Sequence, residues 1–328
     1  MQVSVLYLCR MGKKIGNALP EIPQYLLKGF RHLHRQEDDT SDFGYNRLDA
    51  IQPVGGFELY SSRGLKPSLG PLKSAFYRIS ITITGGVDIQ IGLEHFIHQE
   101  RTVSFTWPNQ VFSKSNIRAD TFGYYLLFNE DFLQELITAG SISQEFPFFD
   151  VTGTPFFQLS PDEIERVEQF ILNMNAELKE NRPGREKAIR LYLYLLLLEA
   201  KRSYERQQLN EQANNADRTH LVSQFQKLVS KHFLSKRKVT DYASLLAVSA
   251  NHLNRTVKDV TGKTASEAIA EMLVQEAKAV LKYTAATISE IAWQLNFSEP
   301  AAFNRFFKKM TGDTPMAYRK NASGQYNA

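Results

Sequence analysis

One segment of this chain is a degenerate copy of another about fifty residues earlier, and that duplication constrains the fold more than any other feature. Residues 243–264 (ASLLAVSANHLNRTVKDVTGKT) run parallel to residues 292–314 (AWQLNFSEPAAFNRFFKKMTGDT). Ala243, Leu246, Val248 and Ser249 match Ala292, Leu295, Phe297 and Ser298 at an offset of 49. After one extra residue in the second copy the offset becomes 50. Leu253, Asn254, Arg255, Lys258, Thr261, Gly262 and Thr264 then match Phe303, Asn304, Arg305, Lys308, Thr311, Gly312 and Thr314. Keeping apolar, cationic and helix-ending residues in register together implies one supersecondary unit used twice.

The second copy shows what that unit is. Ser298 suits an N-cap and Glu299-Pro300 a first helical turn, after which Phe303, Phe306, Phe307 and Met310 form an apolar stripe. Ala301, Ala302, Arg305, Lys308 and Lys309 occupy the opposite face, Gly312 ends the helix, and Thr314-Pro315 starts another. Upstream, residues 288–295 place Ile288, Ile291, Ala292 and Leu295 on one helical face, and Asn296-Phe297 makes a turn because Asn tolerates positive φ. Helix, tight turn, basic helix is the helix-turn-helix arrangement. Spacing alone fits any amphipathic helical hairpin with a solvated basic face equally well; the duplication favours the DNA-binding reading.

In the first copy, Leu253, Val257 and Val260 are expected inward, leaving Asn251, Asn254, Arg255 and Lys258 outward. Arg suits guanine and Asn suits adenine in the major groove. Asn251, Asn254 and Arg255 are therefore candidate base readers, joined by Arg305 in the second copy, with Ala301 and Ala302 offering contact to thymine methyls. Lys258, Lys308 and Lys309 are candidate phosphate contacts. Lys236-Arg237-Lys238 fits either a phosphate-touching turn or a solvated cluster.

These residues resemble the signature of the AraC/XylS-type transcription regulators. The matching positions are Ile291-Ala292, Leu295, Phe297-Ser298, Phe303, Arg305, Phe307-Lys308-Lys309, Thr311-Gly312, Thr314-Pro315 and Tyr318-Arg319. The resemblance implies two helix-turn-helix units, at about 239–262 and 287–312, joined by one long helix and reading successive major-groove segments. Asn296, Ala302 and Val257 depart from the family's usual Gly, large residue and Phe, and Glu271-Met272-Leu273 lies where the family often has an Arg.

Charge follows the repeat. From residue 219 onward there are 15 Lys and Arg against 8 Asp and Glu, whereas residues 1–218 hold 24 against 27. The basic excess thus belongs to the half that carries the duplication, as a polyanion partner requires. A length of 328 residues suggests two domains, and 43% hydrophobic with 23% charged residues argues against disorder. The longest apolar run, residues 191–198, is too short to cross a membrane. A single cysteine, Cys9, excludes an internal disulfide framework and fits a cytoplasmic protein. The first ten residues lack the features of a signal peptide, and Met11 is an alternative start.

Between residues 57 and 128 the pattern is that of short strands. Tyr77, Ile79, Ile81 and Ile83 alternate with Arg78, Ser80, Thr82 and Thr84; Gly85-Gly86 interrupts; Val87, Ile89 and Ile91 resume the alternation. This reads as a β-hairpin, with further strands at 95–97, 102–107 and 123–128, and implies a sandwich or small barrel. The segment TWPNQVFSKSNIRADTFGYYLLF resembles the cupin-type effector domain of the same family. Cupins often hold metals on histidines, so a cupin-fold metal-dependent enzyme with a helical accessory domain is the alternative function. His95 and His98 are expected on opposite faces of a strand, and His32 and His34 sit in a polar segment, so neither metal nor cofactor is expected.

From Ser160 the period becomes helical, broken at Arg182-Pro183-Gly184 and resumed to about residue 205. The second of these helices is apolar nearly all round, which favours a homodimer interface including Leu193 and Leu197. The expected architecture is therefore multidomain β plus α. An N-terminal cupin-like β-barrel with two following helices forms an effector-binding and dimerisation domain over 1–206, with the barrel at about 20–150 and the helices at about 160–205. A polar linker spans 207–217, and an all-α double helix-turn-helix spans 218–328, its units joined by a helix over 265–283. The expected function is non-enzymatic: a transcription regulator, taken as an activator, that binds double-stranded DNA and a small-molecule effector whose site residues are unknown. RNA polymerase is a further candidate partner, and no membrane association is expected.

Overall fold

Alternating apolar and polar residues build the first half of the chain into two antiparallel sheets. The computed structural model describes residues 25–36, 41–47, 51–92, 94–150, 153–180, 182–209 and 217–324; Cys9, Met11 and residues 210–216 of the expected linker lie outside these. In chain order the strands are β1 (Phe57–Ser61), β2 (Leu69–Lys73), β3 (Tyr77–Thr84), β4 (Val87–Ile91), β5 (Glu94–His98), β6 (Thr102–Thr106), β7 (Val111–Ser115), β8 (Phe122–Phe128) and β9 (Phe156–Gln158). One sheet has the order β1-β8-β3-β6-β9 and the other β2-β7-β4-β5. The expected β3–β4 hairpin is absent: β3 pairs with β6 and β8, β4 with β5 and β7. Gly85-Gly86 instead turns the chain from one sheet to the other. Gly85 has φ +74°, and a Cβ there would meet the Thr121 backbone at 2.5 Å. The sheets also extend past residue 150, because β9 completes the edge beside β6.

Residues paired across neighbouring strands share a face. Leu126, Ile79 and Phe105 form one such row, sealed from outside by aromatic residues and helices; Phe105 stacks on Phe148 at 3.9 Å, and Tyr204 packs against both Phe148 and Phe157. Tyr125, Ser80 and Ser104 form a row of the opposite face, with Leu127, Arg78 and Thr106 beside it. Arg78, Ser80 and Tyr125 from that face line a cavity together with Leu69, Ile89 and Phe112 of the second sheet. The polar half of the β3 alternation therefore points into the domain, not into solvent.

Two helices flank this body, Pro161–Glu180 and Arg185–Arg206. Ser160 and Glu163 cap the first reciprocally, at 2.7 and 3.3 Å. Leu193 and Leu197 are fully buried within the domain, so the expectation that they form a dimer face is corrected; on these two helices the exposed leucines are Leu172, Leu191 and Leu195, at 41 to 43%. The helix pair supplies a lid for the sheet first, and only its outer stripe is free. Among the described residues no group of three or more His, Cys, Asp or Glu is placed to hold a metal. His98 is buried and His95 exposed, as their spacing implied.

The second half is helical: Asp217–His232, Val239–Leu245, Ala250–Thr261, Ala265–Tyr283, Ile288–Gln294, Pro300–Thr311 and Pro315–Gly324. The long helix Ala265–Tyr283 has 19 residues, or about 28 Å at 1.5 Å per residue. It is buried on two sides. Ile269, Met272, Ala277 and Val280 enter the helical core, while Gln275 and Glu276 are buried where the helix meets the β domain. Lys73 of β2 pairs with Glu276 at 2.8 Å, Gln275 donates to Gln90 at 3.2 Å, and Lys282 donates to the Gly70 carbonyl at 3.1 Å. The Gly70 N–H donates to the Tyr283 hydroxyl at 2.9 Å. Gly70 has no room for a side chain, since a Cβ would lie 2.3 Å from the Phe112 carbonyl oxygen.

Candidate nucleic-acid interface

The duplicated sequence folds into duplicated hydrogen bonds. In the first unit the Ala247 N–H donates to Ser244 and the Val248 N–H to Ala243; in the second, Asn296 donates to Trp293 and Phe297 to Ala292. Ala247 and Asn296 both take positive φ, 54° and 58°. Asn tolerates this well, and Ala less so. Ala243 and Ala292 are buried at the helix crossings, where a larger residue would push the helices apart. Each second helix ends alike: Gly262 and Gly312 take φ of 75° and 85°, and the Thr261 and Thr311 hydroxyls donate to Val257 and Phe307, both at 2.8 Å.

The helix starts differ. Ser249 caps Ala250–Thr261 by accepting from the His252 N–H at 3.2 Å. In the second unit the N-cap position falls on Glu299, without a side-chain cap, and Pro300 occupies the first turn. Ser298 is therefore not the cap expected, because the one-residue insertion moves it a position upstream.

Both second helices expose a basic face. Leu253, Thr256 and Val257 are buried in the first, Phe303 and Phe307 in the second. Val260 and Met310, expected inward, are 43% and 39% exposed because both lie at helix ends beyond the core. Asn251, Arg255 and Lys258 face solvent in the first unit, and Ala301, Arg305, Lys308 and Lys309 in the second, with Ala302 half-buried. The Arg255 and Arg305 side chains are 81% and 72% exposed, next to Asp259 at 3.9 Å and Glu299 at 3.1 Å. Such exposed pairs are worth little, so exchange for a nucleic-acid partner costs little. Asn254 differs from expectation. It is half-buried, and its side-chain carbonyl accepts from the Ala265 N–H at 3.0 Å, which commits it to the start of the long helix.

One arginine fixes the first unit against the second, and another ties the last helix to the joining helix. Arg237, in the turn expected to be solvated or phosphate-facing, lies 4.4 Å over the Phe297 ring and donates to the Leu295 carbonyl. Arg319 donates to the Leu281 and Ala286 carbonyls at 3.1 and 2.6 Å, closing the end of the long helix. Capping boxes at Thr264/Glu267 and Thr287/Glu290 start that helix and the next. Sequence reasoning missed both arginine roles, whereas the Thr-x-x-Glu pattern of the caps was there to be read.

A family model described as a helix-turn-helix domain matches residues 242–321. Residues 242–321 are a helix-turn-helix domain. Among relatives, the chain is 30% identical over 111 residues to the bifunctional transcriptional activator/DNA repair enzyme AdaA of Bacillus subtilis, covering 34% of this chain and 51% of that protein. It is 24% identical over 162 residues to the transcriptional activator RhaS of Escherichia coli, covering 49% of this chain and 56% of RhaS. The chain thus spans about half the length of the curated relatives it matches. A solved structure of apo ToxT K231A from Vibrio cholerae aligns over 82% of this chain and 98% of that one, with 12% identity and a TM-score of 0.39. Within this helix-turn-helix domain, the outward side chains Arg255, Lys258, Arg305, Lys308 and Lys309 make up the basic surface described above, with Asn251 exposed on the same helix as Arg255.

Proposed function

We propose that this chain is a sequence-specific DNA-binding transcription activator, cytoplasmic and non-enzymatic, that acts as a homodimer and responds to a small effector held in its β domain. One observation carries the reading: two repeated helices present exposed arginines and lysines from a scaffold locked by Arg237 and Arg319. Arg255 is the main base reader and Arg305 its counterpart in the second unit, with Asn251, Ala301 and Ala302 in supporting positions. Lys258, Lys308 and Lys309 hold phosphates. The relatives AdaA and RhaS are named as activators, which supports activation and, with it, RNA polymerase as a further partner. The outer stripe of Leu191 and Leu195 supports the homodimer.

The β domain grips the helix that joins the two recognition units, so a ligand that shifts β2 or β7 alters how those units are presented. Fluorescence anisotropy of labelled duplex over a range of salt tests the DNA-binding part. Log K should fall steeply with log salt, and Lys258→Ala or Lys308→Ala should each flatten the slope by about 0.9 without altering site preference. Binding without salt dependence would contradict the proposed interface.

A further inference from the structure

Between the two sheets lies a cavity of about 70 Å³, room for several water molecules at about 10–15 Å³ each. Leu69, Ile81, Ile89 and Phe112 give it apolar walls, and two cations reach it: Arg78 from β3 and Lys114 from β7. Arg78 is 3% and Lys114 9% exposed. Neither terminal guanidinium nitrogen of Arg78, nor the Lys114 ammonium, has a hydrogen-bond partner among the described residues. The Phe112 ring lies 3.9 Å from the Arg78 guanidinium carbon, so it covers the flat face and leaves the N–H edge unfilled. Arg35 adds a third positive charge, with its terminal N–H groups engaged by the Ser61 and Arg63 carbonyls and the Tyr125 hydroxyl. Burial pushes Arg78 down to about 10, and burial together with Arg78 and Arg35 holds Lys114 well below the ordinary amine range.

Buried like charges without an acidic partner are costly to fold around, and proteins keep buried polar groups paired. The missing partner is an anion that enters with its own apolar surface. We propose that this cavity is the effector site and that its ligand is a small organic carboxylate with an apolar body, its carboxylate held between Arg78 and Lys114. A guanidinium edge accepts both carboxylate oxygens in parallel, and the ammonium adds a third charge-assisted bond. Ser80 and Tyr125 also line the cavity, but leucine, isoleucine and phenylalanine form much of its wall and leave most hydroxyls of a sugar unpaired. The site also adjoins the interdomain contact: Lys114 lies on β7, whose Phe112 and Val111 pair with Leu72 and Lys73 of β2. Lys73 is the residue that holds Glu276. This inference deepens the effector part of the proposed function and rests on that reading only for its consequence at DNA.

The test uses the full chain without DNA, with octanoate and benzoate as probes and octanol, benzyl alcohol, glucose and inorganic phosphate as controls. Calorimetry and thermal melting should show binding and stabilisation by at least one carboxylate and by none of the controls. Arg78→Gln and Lys114→Met should each weaken that binding at least tenfold. Lys114→Met should also melt higher than wild type when ligand-free, because it removes an unpaired buried amine; a lysine with a merely structural role would melt lower when replaced. Equal binding of octanol and octanoate, binding of phosphate alone, or full affinity in Lys114→Met would overturn the assignment. Duplex binding measured separately keeps the two readings apart. A chain that binds DNA and no carboxylate loses this inference alone, and one that binds carboxylate and no DNA loses the regulator reading.

Discussion

Replacing Lys73 by Met asks whether the β domain is locked to the helix joining the two recognition units. The Lys73 ammonium lies 2.8 Å from the Glu276 carboxylate; Glu276 is fully buried, and the Lys73 side chain is 15% exposed. Burial already raises Glu276 above its ordinary value of 4.5, and Lys73 is what opposes the rise. Without Lys73 the carboxylate stays charged and unpaired, at a cost of about 3–5 kcal/mol, or it takes up a proton. Protonation sets the ceiling. At about pH 7.5, roughly three units above 4.5, it costs about 4 kcal/mol at about 1.4 kcal/mol per unit; at about pH 5.5 the ceiling is about 1.4 kcal/mol. A raised carboxylate contributes its full stability below the unfolded value and loses it as pH rises through the folded one, so the Lys73→Met defect should grow with pH. Urea unfolding followed by tryptophan fluorescence should show a loss of about 3–4 kcal/mol at the higher pH and about 1 at the lower. Adding Glu276→Gln should restore most of it, since no buried charge remains. A loss under about 0.5 kcal/mol at both pH values would make the pair equivalent to a surface bridge and leave the domains unlocked.

Further substitutions separate surfaces from core. Leu191→Glu with Leu195→Glu should give a monomer by light scattering with little change in melting temperature, whereas Leu193→Ala should cost about 2–5 kcal/mol of stability; a wild type that is monomeric at high concentration would end the dimer proposal. Asn254→Ala should lower stability by about 1 kcal/mol through loss of its bond to Ala265 and leave base preference unchanged, so an altered preference in binding-site selection would return Asn254 to the base readers.

The duplicated unit was legible because its core, cations and helix ends fall at helical spacing within one continuous stretch, and Asn296 announced its own turn. The β domain was legible only as strands. Gly85-Gly86 marks a turn in sequence, but whether the chain folds back or crosses to another sheet depends on partners such as β6 and β7, far along the chain. Alternation along β3 shows two unlike faces without showing which is covered, so the burial of Arg78 depends on the second sheet closing over it. Lys114 and His34 carry no spacing signal at all, although both are buried. In the run 191–198 every apolar residue looks equally available, and the neighbouring helix and the sheet decide that Leu193 and Leu197 go inside. Asn254 was misplaced because its partner, Ala265, lies in the next helix.

Arg255 and Arg305 are proposed to read two separate parts of one DNA site. Footprinting of wild type, Arg255→Ala and Arg305→Ala on a selected duplex tests it most directly. Each variant should lose preference at a different position, separated by about one helical turn, with about 1–3 kcal/mol of discrimination lost at each. Loss at the same position for both variants, or equal loss on random duplex, would contradict the two-unit account.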